Sequence, residues 1–124
     1  MKNYCILVVE DNVLNMELFM EILGLKGYDV NGVSSAEEAM ISIKPLQPSL
    51  ILLDIALPGL DGLSALRLLK ADVETSHIPV VVVSAHSLLT DERAAREAGC
   101  SEYLTKPISS EALLSTVASF IGTP

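Results

Sequence analysis

The sequence predicts a doubly wound α/β fold: one parallel sheet covered by helices on both faces. Three observations carry this prediction. Short apolar runs end at polar or charged residues, as in Cys5 to Val9 before Glu10-Asp11 and Leu50 to Leu53 before Asp54. These runs alternate five times with stretches of helical pattern, and the connections between them are uniformly short. Strands that are apolar throughout, rather than at every second residue, belong to parallel sheets buried on both faces, which need helical crossovers.

Tyr4 to Val9 forms the first predicted strand, and a helix follows from Val13 to Lys26, capped by Asn12 and ended by Gly27. Tyr28 to Val33 gives the second strand. Ser34 or Ser35 caps a short second helix through Glu37, Glu38 and Ile43 that stops at Pro45, and Pro48 leads into the third strand, Leu50 to Leu53. After the turn Pro58-Gly59-Leu60, Asp61 caps a third helix through Leu63, Leu66, Leu69 and Lys70. Ile78-Pro79 opens the β-branched fourth strand, Val80 to Val83. A fourth helix covers Leu88 to Ala98 and ends at Gly99; the fifth strand spans about Ser101 to Thr105, and a last helix runs from Ser109 or Ser110 to near Gly122.

Size and composition narrow the function. A chain of 124 residues, half of them hydrophobic, fits one domain with one core. Its net charge of -8, with eight scattered Lys and Arg, forms no basic stripe and argues against direct binding of nucleic acid or an anionic membrane. No apolar stretch reaches the roughly 18 residues of a membrane span, and Glu10 cuts the N-terminal run too early for a signal sequence. The expected location is cytoplasmic. Cys5 and Cys100 lack metal-ligand spacing and read as small buried side chains.

Chemistry is expected at the strand tips, where open α/β sheets place their ligands. Glu10, Asp11 and Asp54 converge there, and three crowded carboxylates would raise one another's pKa unless a hard cation and a lysine held them ionised. The first helix adds a surface reading. At 100° per residue, Leu18, Phe19, Ile22 and Leu23 face inward with Asn15 at their edge, leaving Val13, Met16 and Met20 as an outward stripe suited to a partner helix.

Four motifs sit in register: Val8-Val9-Glu10-Asp11-Asn12, Leu52-Leu53-Asp54 through Asp61-Gly62, Val83-Ser84-Ala85, and Tyr103-Leu104-Thr105-Lys106-Pro107. Together they resemble the receiver domain of bacterial two-component response regulators over nearly the whole chain, Ile6 to Ile121. The Asp-Asn-x-x-Asn start is most similar to single-domain cell-cycle regulators and the receivers of hybrid kinases. The resemblance implies a flavodoxin-like (βα)5 fold of strand order 2-1-3-4-5, and residues 1–124 as a single receiver without an output domain.

It also implies roles. Asp54 would be the phosphoacceptor, taking a phosphoryl group from a histidine kinase or a histidine phosphotransfer protein. Mg²⁺ would be held by Asp11 and Asp54, by the backbone carbonyl of Ala56 and, through a water, by Glu10. Lys106 and Ser84 would cover the remaining phosphoryl oxygens, and Ser84 and Tyr103 would form the switch that reshapes the helix 4, strand 5 and helix 5 face for a downstream protein. Ala56 and His86 occupy positions that flank the path of hydrolytic water. Two further readings are a phosphorelay intermediate or phosphate sink, and a metal-dependent phosphohydrolase with an aspartyl-phosphate intermediate. The latter is opposed by a first strand ending Glu10-Asp11-Asn12 rather than in Asp-x-Asp and by the lack of a cap insertion.

Overall fold

A computed structural model describes residues 4–56, 61–85 and 89–124. Strands β1 (Cys5–Val9), β2 (Asp29–Val33), β3 (Leu50–Leu53), β4 (Val80–Ser84) and β5 (Glu102–Thr105) alternate with helices α1 (Val13–Leu25), α2 (Ala36–Leu46), α3 (Gly62–Ala71), α4 (Leu89–Glu97) and α5 (Ser110–Ile121). All neighbouring strands pair in parallel, in the order β2-β1-β3-β4-β5. The sequence-based topology is therefore observed.

The continuous apolar runs bury both sheet faces. Leu7, Val9, Ile51, Leu53 and Val82 point into one core layer with Ile43, Leu66 and Leu69, while Ile6, Val8, Leu50, Leu52 and Val83 meet Phe19, Leu23, Leu113 and Val117 on the other side. Every residue of β1, β3 and β4 is buried, whereas the edge strands β2 and β5 are only partly so.

Local chemistry sets the helix ends. Asn12, Ser35, Asp61 and Ser109 each accept a backbone N–H three residues on, satisfying one of the donors left open in a first turn. After α1, Gly27 turns the chain at φ 92° and the Tyr28 N–H returns to the Leu23 carbonyl, so Tyr28 closes the helix and β2 begins one residue later than its side chain suggested. Pro45 does not stop α2. It lies inside the last turn, and the helix closes at Leu46 with the Gln47 N–H on the Ile43 carbonyl.

The faces of α1 differ from the periodicity reading. Phe19 and Leu23 are buried as expected, but Leu18 is 48% exposed and Met16 is half-buried. The cause lies in β2. Gly32 offers no side chain, and the Met16 sulfur lies 2.6 Å from where a Cβ would sit, with the Met20 sulfur at 3.4 Å. Rotation of the helix toward that gap leaves Leu14 (75%), Leu18 and Leu25 (81%) on the solvent side.

Cys5 and Cys100 are free thiols, and no helix is long and apolar enough to cross a membrane among the described residues. The contrast between core and stripe is measurable. Leu66→Ala should lower the unfolding free energy by roughly 2–5 kcal/mol, whereas Leu14→Ala should stay within about 0.5 kcal/mol, as read from urea midpoints at unchanged slope.

Candidate functional site

The parallel register delivers the acidic residues to one end of the sheet. Val9 pairs with Leu53, so the chain leaves β1 and β3 side by side, and the Asp54 N–H continues the ladder onto the Val9 carbonyl at 3.0 Å. Glu10 is fixed by its N–H on the Val33 carbonyl at 3.1 Å, and Lys106 by its N–H on the Ser84 carbonyl at 2.7 Å. The ends of all five strands are thus fixed through backbone bonds. One carboxylate oxygen each from Glu10, Asp11 and Asp54 lies within 4.8 Å of the others.

Lys106 completes the cluster. Its Nζ donates to Glu10 Oε1 and, at 3.0 Å, to Asp54 Oδ2, while the Ala56 N–H donates to Asp54 Oδ1 at 2.8 Å. Both carboxylates are removed from water: Glu10 is 2% and Asp54 7% exposed. Asp11 and Ala56 lie open at the rim. The second Glu10 oxygen, Oε2, is buried and accepts no hydrogen bond. A buried anionic oxygen without a donor is costly, and it marks a place for a cation.

These contacts push the pKa values apart. Burial raises the Glu10 carboxyl, and the hydrogen bond it shares with Asp54 raises it further, against the pull of Lys106. For Asp54 burial also acts upward, but hydrogen bonds from Glu10, the Ala56 N–H and Lys106 outweigh it and hold the carboxyl below its ordinary value. Burial works to lower Lys106, yet its two carboxylate partners keep the ammonium ion above the usual lysine range. The two carboxyls are thus driven in opposite directions, Glu10 upward and Asp54 downward.

Ser84, at the end of β4, is fully buried, and Tyr103 packs inward from β5. Burial raises the Tyr103 phenol, partly offset by its hydrogen bond with Ser84, so the two residues are already in contact. Arg96 of α4 reaches Glu92 and Glu102 at 2.9 Å each and ties that helix to β5 beside Tyr103. His86, with the turn Pro58-Gly59-Leu60, lies outside the described residues.

Gly62 is a positional requirement that the motif contained but the sequence reading did not explain. A Cβ there would sit 2.4 Å from the Asp54 carbonyl oxygen and 2.4 Å from Ile55 Cα, so only glycine lets α3 begin this close to the acidic loop. A cleft of about 470 Å³ between β2 and the end of α2 has Asn31 and Ser42 as its polar side chains and no titratable group, so it is not where this chemistry lies.

With this geometry in place, comparison with known proteins decides the family. The model of the response regulator receiver domain matches residues 6–118. The chain belongs to the response regulator receiver family. It is 40% identical over 117 residues to the polar-differentiation response regulator DivK of Brucella ovis, covering 94% of this chain and 95% of that protein. The receiver domain of the sensor histidine kinase PA1611 from Pseudomonas aeruginosa PAO1, solved with a magnesium ion coordinated in its active-site cleft, superposes with a TM-score of 0.89 at 32% identity, covering 97% and 98% of the two chains. Vibrio cholerae CheY4 shares the fold, with a TM-score of 0.88 over 94% and 97% of the chains at 19% identity.

The opposed shifts in this receiver cluster have opposite consequences for stability. Glu10, raised in the folded state, favours folding below its ordinary pKa, and that contribution is lost as pH rises toward its folded value; Asp54, depressed, stabilises above its ordinary pKa and loses that contribution as pH falls. In Glu10→Gln the falling component should vanish and leave only a gain in stability with rising acidic pH. Urea midpoints between about pH 3.5 and 7 read the difference, since model carboxylates titrate near 4.

Proposed function

We propose that this receiver accepts a phosphoryl group on Asp54 from a histidine kinase or a histidine phosphotransfer protein, and that the phosphorylated form signals by binding a downstream protein. The observation that carries this reading is the bridge from Lys106 to both Glu10 and Asp54, with Asp54 kept ionised among buried groups. An anionic carboxylate with one face open to the rim is a nucleophile, and the ammonium beside it can take charge from a phosphoryl oxygen.

In the transfer, an Asp54 oxygen bonds to phosphorus as the donor's N–P bond breaks, and the released electron pair stays on the imidazole. The Ala56 N–H and Lys106 fix the direction of the Asp54 carboxylate. Lys106 then shifts its charge toward the new phosphoryl group, and the buried Ser84 hydroxyl meets another of its oxygens. Movement of Ser84 acts on Tyr103 through their existing contact and so on the α4, β5 and α5 face, where Arg96 joins helix to strand. Catalysis is confined to the domain's own phosphorylation and dephosphorylation.

The residues fit a bound Mg²⁺. Asp11, Asp54 and the Ala56 carbonyl would hold it directly and Glu10 through a water, which gives the orphaned Glu10 Oε2 its partner. When bound, it supplies positive charge to the phosphoryl oxygens that Lys106 does not reach. The Ala56 methyl cannot orient a hydrolytic water. The exposed Val13 and Met20 of the stripe expected from periodicity, together with Leu14 and Leu18, offer the dock for a helical phosphodonor.

Incubation with acetyl phosphate and Mg²⁺ should give one acid-labile adduct that Asp54→Asn abolishes; labelling that survives this substitution overturns the assignment. Metal binding should also carry a proton signature. Ionising Glu10 for the metal should release part of a proton per ion, so Mg²⁺ affinity should fall as pH drops through the acidic range and flatten in Glu10→Gln, as measured by calorimetry in buffers of different ionisation enthalpy.

A further inference from the structure

The sheet ends at β2, which pairs with β1 on one side and with no described strand on the other. The Asp29 N–H bonds the Tyr4 carbonyl and the Val33 carbonyl accepts the Glu10 N–H, so Asp29, Asn31 and Val33 turn their backbone groups toward β1. Val30 and Gly32, which alternate with them, turn theirs to the open side. Edge strands are commonly guarded by a lysine, a proline or a bulge. β2 reads Asp-Val-Asn-Gly-Val in unbroken register and has none of these.

Each face of this edge has its own chemistry. On the α2 side lies the cleft of about 470 Å³, lined by Leu7, Val33, Pro45 and Leu46 with Asn31 and Ser42 as its polar side chains. An aliphatic side chain fits such a space, whereas a charge entering it would find no counter-ion. On the α1 side Gly32 projects nothing, and the Met16 sulfur fills the space above it. At 100° per residue Glu17 and Glu21 follow Met16 and Met20 around α1, away from the buried Phe19, and both are exposed. From Val13 to Ile43 the acids are Glu17, Glu21, Asp29, Glu37 and Glu38 against a single base, Lys26.

We propose that β2 is the docking edge for an extended partner segment in which apolar and basic residues alternate. The segment adds a sixth strand by bonding the open N–H and C=O groups of Val30 and Gly32. Its side chains then fall alternately on the two faces: the apolar ones enter the α2 cleft, and the lysines or arginines reach Glu17 and Glu21. The same acids disfavour a second copy of this chain, whose own β2 would bring Asp29, Glu17 and Glu21 against like charges. This edge needs neither Asp54 nor a phosphoryl group, so it stands apart from the phosphoacceptor reading.

The probe is the synthetic hexapeptide acetyl-Lys-Val-Lys-Val-Lys-Val-amide, titrated into the intact protein. At saturation it should slow hydrogen exchange of the Val30 and Gly32 amides at least about tenfold and leave the β5 amides at the opposite edge unchanged. Two analogues carry N-methyl groups on alternate residues. Strand addition uses one set of the peptide's N–H groups and leaves the other in solvent, so one analogue should lose about tenfold or more in affinity, by fluorescence anisotropy, and the other stay within about threefold. A peptide with glutamate in place of lysine should not bind, and Glu17→Gln with Glu21→Gln should weaken the lysine peptide about fivefold and flatten its salt dependence. Equal losses with both analogues, protection confined to other elements, equal binding of the glutamate peptide, or no binding of the lysine peptide at about millimolar concentration overturns the proposal. A protein that dimerises with Val30 and Gly32 already protected overturns it too, since the occupant is then a second copy.

Discussion

One ammonium group serves two buried carboxylates, and most of this protein's architecture exists to keep that arrangement in place. Lys106 stands between Glu10 and Asp54, side chains contributed by residues 96 and 52 positions away along the chain. Two anions against one cation in a site this dry leave a surplus of negative charge, and the strain falls on Glu10, whose carboxyl burial and Asp54 push upward. The same imbalance makes the site responsive. A divalent cation or a phosphoryl group changes the count of charges, and each side chain around Lys106 must answer.

The backbone supplies the precision that flexible side chains could not. Each charged residue follows directly on a strand, and its own N–H is bonded to the neighbouring strand's last carbonyl. The central strands are buried on both faces, so a slip of one residue would exchange the two core layers and is strongly opposed. Gly62 adds a contact that side-chain chemistry does not reveal: α3 can start against the Asp54 carbonyl only because nothing projects from that Cα. In the proposed switch, a rigid floor of this kind would carry small displacements of Ser84 to Tyr103 instead of dissipating them.

The strands and the acidic cluster were legible because each rests on short-range patterns, apolar runs ended by acids, caps at fixed spacing and glycine after a helix, whereas the strand order came with the family resemblance. What escaped the sequence depends on two elements at once. The face of α1 was read only in part: Val13 and Met20 are exposed as expected, but the space above Gly32 belongs to β2, and Met16 lies against it while Leu18 turns outward. Pro45 was taken as a stop, although a proline in the last turn gives up only its own N–H bond, and the helix runs on to close with the Gln47 N–H on the Ile43 carbonyl.

The net charge of -8 opposes the approach of a phosphoryl group, itself an anion, so long-range attraction does not draw it in. Binding energy must then come from short-range contact. The structure concentrates exposed leucine on one side of α1 and apolar walls in the adjoining cleft, close to Lys106, which is itself engaged and cannot act as a distant lure. Recognition built this way depends on shape and on a few placed polar atoms rather than on charge. It should therefore tolerate changes in ionic strength far better than it tolerates changes in the side chains that line the approach.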